Sequence, residues 1–152
     1  MKFTNRDDTN AVTIDGSEAI TLIGAAEGPL PVLRQKNSFL HVDVTSLDDT
    51  AAAALDIIAK ECEHYIKENH PEADTVMPYT YEVATPEGPR RVMRVVLNKE
   101  SKSWKDHEQA SGCTEETWEG RTCAAMVRAT GLVLTPSGAF INFTATDILP
   151  LP

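Results

Sequence analysis

The residues best suited to chemistry are aromatic and basic, and they interleave in one stretch. Tyr79, Tyr81, Arg90, Arg91, Arg94, Lys99, Lys102, Trp104 and Lys105 are followed by Trp118 and Arg121. A single nucleic-acid strand requires both types, because cations track its phosphates and flat side chains take its bases by stacking. Residues 90–105 hold six basic residues against one acid, a local charge of +5. Trp104 and Trp118 lie in the polar runs KSWKD and ETWEG, with no apolar neighbours to mark them as core. Phe39 is a further stacking candidate. The set expected to touch a nucleic acid is Tyr79, Tyr81, Arg90, Arg94, Lys99, Lys102, Trp104, Lys105 and Arg121. Two other uses stay open at this point. A loop tryptophan also serves as a lid over the end of a barrel, and Tyr79 and Tyr81 also suit core positions with satisfied hydroxyls.

Catalytic and metal-binding patterns are weak by comparison. Cys62 and His64 are two apart in a helical segment and point in different directions, so they cannot chelate together. His107, Cys113 and Cys123 include no pair at zinc-finger spacing. Phosphate-cradling loops, nucleophile elbows and His-Glu-x-x-His are missing. Glu115-Glu116 reads as a solvated pair. The sequence therefore points to a protein that is not an enzyme and needs no cofactor or metal.

Charge narrows the partners. The 152 residues carry a net charge of −9, which argues against broad binding to duplex DNA or to anionic membranes. The acids concentrate early: residues 1–89 have 16 Asp/Glu against 6 Lys/Arg, whereas residues 90–128 have 8 basic residues against 6 acids. No apolar run approaches the ~20 residues of a membrane span. The opening MKFTNRDD lacks the apolar stretch of a secretory signal, and three cysteines do not make a disulfide framework. A reduced, cytoplasmic setting is expected.

The elements that must position these residues read as one α+β domain over 1–152, mainly antiparallel. Residues 1–10 read as a polar arm, loose unless it docks on something. Segment 19–26 (AITLIGAA) reads as a strand, and 38–45 (SFLHVDVT) alternates, with Leu40, Val42 and Val44 on one face and Phe39, His41 and Asp43 on the other. One long helix is expected at about 50–69, capped in the SLDDT run and ended by Pro71. Its buried stripe is Ala51, Leu55, Ile58, Cys62, Tyr65 and Ile66. A hairpin follows, 76–85 and 90–98, in which pairing of Thr85 with Arg90 would place Tyr79, Tyr81, Arg90 and Arg94 on one surface. Residues 99–120 read as a long polar loop, of the kind that is often functional. A second hairpin, 122–134 and 139–149, turns at Thr135-Pro136-Ser137-Gly138. Gly131 inside a strand marks a bulge or bend. Long strands bent at glycine suit a small barrel or strongly bent sheet.

On these elements the chain resembles the OB-fold single-stranded DNA-binding proteins of bacteriophages. The resemblance lies in SFLHVDVT running into the Ala-rich helix DDTAAAALDIIAKECEHYIKE, then WEGRTCAAMVRA, a Gly turn and the closing strand SGAFINFTATDIL. It covers about half the chain, and the matching positions, Gly120, Cys123 and the last strand, are structural ones. The resemblance implies a non-catalytic protein with an OB-like barrel that coats single-stranded DNA in replication or recombination; a homo-oligomer or assembly partners are expected. The alternative is a viral structural or assembly protein, a capsid decoration or tail subunit of the virion, with ILPLP at the C-terminus as a docking arm.

Overall fold

The computed structural model describes residues 1–6, 10–27, 37–73, 75–98 and 122–151. Eight strands and one long helix follow in the order β1 (Lys2–Arg6), β2 (Ala11–Asp15), β3 (Ile20–Glu27), β4 (Asn37–Asp43), α1 (Asp49–Asn69), β5 (Thr80–Thr85), β6 (Gly88–Asn98), β7 (Thr122–Thr135) and β8 (Gly138–Pro150). All belong to one sheet. Five of the strands close into a ring: β7 pairs with β3, β3 with β4, β4 with β6, β6 with β8, and β8 returns to β7. Every contact in the ring is antiparallel except β6 with β8, which is parallel. That mixture is consistent with an OB-like fold. β2 and β1 extend the sheet beyond β7, and β5 extends it beyond β6.

The helix begins where Asp48 accepts a hydrogen bond from the Ala51 N–H at 2.8 Å, satisfying one of the donors that every helix start leaves over. It ends at His70, whose N–H reaches the Ile66 carbonyl at 2.8 Å, immediately before Pro71. Ala51, Leu55, Ile58, Cys62 and Ile66 are buried in the central core. There they meet Leu40, Val42, Met93 and Val95 from the inner faces of β4 and β6. Tyr65 is only half-buried. Its ring stacks on Phe3 at 4.3 Å, and its hydroxyl donates to Asn5.

That stack changes the reading of the N-terminus. Residues 2–6 do not form an arm: they pair with β2, and Phe3 and Asn5 bind the far end of the helix. The C-terminus is likewise part of the sheet. Pro150 is paired with Cys123 and the Leu151 N–H bonds the Thr122 carbonyl, so ILPL continues β8 instead of projecting as a docking arm. The loop expected at 99–120 lies outside the described residues.

Both hairpins turn on the same chemistry, Thr-Pro-x-Gly. In each, proline presets φ at the first turn position, glycine takes a left-handed φ (+120° at Gly88, +137° at Gly138), and the threonine hydroxyl donates to the glycine carbonyl. The first turn is tighter than the sequence reading supposed. Thr85 pairs with Gly88, not Arg90, so Tyr81 faces Val92. The shift is two residues, an even number, and each side chain keeps its face. β5 also starts later than expected, since Val76 makes only a single parallel bridge, to Ala139. In β7 the register slips between Ala129 and Gly131, the bulge expected from the mid-strand glycine.

Gly24 sets how the ring closes. A Cβ there would lie 1.9 Å from the Asp43 carbonyl oxygen, so β3 passes β4 at a separation only a hydrogen allows.

Candidate nucleic-acid interface

Strand alternation divides β4, β6 and β5 into two faces. Leu40, Val42, Met93 and Val95 point into the core. The opposite face carries Phe39, His41 and Asp43 from β4, which lie across from Val96, Arg94 and Val92 of β6. Beyond them stand Tyr81 and Val83 of β5, across from Val92 and Arg90. Phe39 is 40% exposed and Tyr81 44%. Aromatic rings left this open on a sheet face are surfaces for stacking.

The polar groups of this face are tied to the rings. The Arg94 guanidinium lies over the Phe39 ring, 4.6 Å from its centroid, a cation–π contact that fixes the arginine without consuming its N–H groups. Among the described residues no carboxylate pairs with Arg94. His41 Nδ1 is hydrogen-bonded to the Tyr81 hydroxyl, and the two rings meet edge to face at 6.0 Å. Burial, and then the Arg94 charge, lower the His41 pKa below its usual 6.5, so the imidazole is neutral at neutral pH. Arg90 sits at the edge of the face, 4.0 Å from both Asp43 and Glu87, and much of its charge is balanced there.

Three of the residues singled out from the sequence, Tyr81, Arg90 and Arg94, thus share one face with Phe39. Tyr79 does not join them. It precedes β5, meets Phe143 edge to face at 6.1 Å, and donates its hydroxyl to Asp56 on α1 at 2.7 Å. Burial and that carboxylate push its phenol up to about 12. The core-type use left open for the tyrosines applies to Tyr79, and the surface use to Tyr81. Lys99, Lys102, Trp104, Lys105 and Arg121 lie outside the described residues. His41 was missed as a site residue, although the alternation of SFLHVDVT already put it beside Phe39.

A groove of about 510 Å³ opens at the end of this face, between β6 and the start of β8. His41, Tyr81 and Arg94 form one side, and Met77, Tyr79 and Ile141 are among the residues on the other. Among the described residues no three His, Cys, Asp or Glu side chains are grouped to hold a metal. Burial raises Cys62 to about 12 and Cys123 to about 11, which keeps both as unreactive thiols. Among the described residues no helix is long and apolar enough to cross a membrane.

The architecture is therefore an OB-like ring bearing an exposed aromatic and cationic face. Two solved structures similar to this chain are of the single-stranded DNA-binding protein from bacteriophage Enc34, one a C-terminal truncation and one in complex with single-stranded DNA. Each is 16% identical and covers 93% of this chain; the match spans 85% and 86% of theirs, with a TM-score of 0.46. They belong to the class of protein that the sequence resembles. No family model matches the chain, and no curated protein matches it significantly.

Proposed function

We propose that the protein is a non-catalytic binder of single-stranded DNA, which lies across the outer face of β4, β6 and β5. The observation that carries this reading is Arg94 held over the exposed Phe39 ring beside Tyr81: a cation fixed next to two surfaces for bases. In OB-folds the second and third strands present the face that takes oligonucleotides, and β4 and β6 hold those places in this ring. The net charge of −9 favours a local contact over adhesion to any polyanion. On this reading Lys99, Lys102, Trp104, Lys105 and Arg121, whose chemistry suits the same partner, also contact the strand. The role is to coat single strands during replication or recombination in the cytoplasm, with several copies side by side on one strand.

The test is a titration of a fluorescent single-stranded oligonucleotide at two salt concentrations. Each phosphate neutralised on a single strand contributes about −0.7 to the slope of log affinity against log salt. Engagement of four to six cations therefore gives a slope of roughly −3 to −4. Absence of binding at low salt, together with a defined oligomer in sedimentation, would overturn this reading in favour of a structural subunit.

A further inference from the structure

Resting on that reading, we infer that the groove beside the face is a pocket for one nucleobase turned out of the strand, and that it selects bases bearing a carbonyl over adenine. The volume, about 510 Å³, falls within the range of small-molecule sites and accommodates a purine. Its walls are of the right kind: Tyr79, Met77 and Ile141 are apolar or aromatic and half-buried, which gives a base both ring faces and edge contacts. The selectivity comes from Arg94. A guanidinium has five N–H donors and no acceptor. Held over the Phe39 ring by its charge, it keeps its N–H groups for other partners, and it lines the groove. A base offering oxygen there is matched, as arginine matches guanine O6 and N7. Adenine presents an amino group at the same place, so donor meets donor.

Hypoxanthine and adenine separate this effect from stacking, since they have nearly the same size and π-face and differ in the carbonyl against the amino group. The probes are short strands of abasic nucleotides carrying one hypoxanthine or one adenine at the centre, titrated against the full chain by anisotropy. The hypoxanthine strand is expected to bind about fivefold or more tightly, the lower end for one well-matched arginine–base pair. Met77→Trp, which fills the groove, should bring the two affinities together. Deoxyinosine monophosphate added to the unaltered protein should shift the backbone NMR signals of Met77 and Ile141, a measurement that needs no variant. Equal affinity for the two strands, with oligo-dT bound normally, would overturn the pocket and leave the binding face standing. Failure of oligo-dT itself to bind at low salt would overturn the underlying reading instead.

Discussion

Gly24→Ala tests the geometry that holds the binding face in place. The new methyl would lie 1.9 Å from the Asp43 carbonyl oxygen, more than an ångström inside contact. That oxygen belongs to a residue laddered to Val92 of β6, so two strands must shift to relieve the clash. Overpacking a well-filled site costs about 1–3 kcal/mol, occasionally more, and a rigid backbone neighbour places this case at or above the upper end. Alanine recovers about 0.5–1 kcal/mol over glycine inside a strand. The expected net loss is about 2–4 kcal/mol, or roughly 5–15 °C in Tm for a chain of this size. Gly131→Ala is the internal comparison. Its methyl would meet the Val12 carbonyl oxygen at 3.0 Å, a contact that a small adjustment relieves, and the expected loss is about 1 kcal/mol. Urea melts of both variants provide the measurement. A Gly24→Ala protein that melts with or above the parent would refute the close crossing of β3 and β4.

Phe39→Ala should weaken single-stranded DNA binding by about 1–3 kcal/mol, the size of one base–aromatic stack. Tyr79→Phe should lower stability by about 1 kcal/mol, through loss of the bond to Asp56, as read in a urea melt. The lowered pKa of His41 makes stability depend on pH in a defined sense. The unfolded chain takes up this proton first as pH falls through 6.5, so the contribution is complete above 6.5 and is lost progressively below it. Melts from pH 7.5 to 5 should show less of this decline in His41→Gln. Cys62 and Cys123 should resist iodoacetamide at pH 8 and react only on unfolding, as read by mass spectrometry.

The parts of this fold that were legible in the sequence are those that local chemistry decides. The helix announces itself from the Asp48 cap to Pro71, and the Thr-Pro-Ser-Gly turn and Gly131 mark the last hairpin and its bulge. In the Thr-Pro-Glu-Gly hairpin the pairing was misjudged by two residues, yet the grouping of Tyr81 with Arg90 and Arg94 survived, because a sheet face depends only on odd and even. What stayed hidden depends on partners far along the chain. KFTNR has no alternation to mark a strand, and its hold comes from Phe3 and Asn5 meeting Tyr65, about sixty residues away. Tyr79 is drawn off the expected surface by Asp56, on an element packed beneath it. Gly24 looks like any strand glycine until β4 is laid across it.

The ring is joined unevenly around its circumference. β7 and β8 are laddered along almost their whole lengths, and β4 and β6 from end to end of β4, whereas β6 meets β8 at the one matched pair Val96 and Thr144. The backbone ladder is shortest at that seam, and Met93 and Val95 on one side with Phe143 and Ala145 on the other close the circle by side-chain packing instead. The groove straddles that seam, with Arg94 on the β6 side and Ile141 on the β8 side. Its width is therefore set by how side chains pack across the seam and not by a ladder of backbone hydrogen bonds.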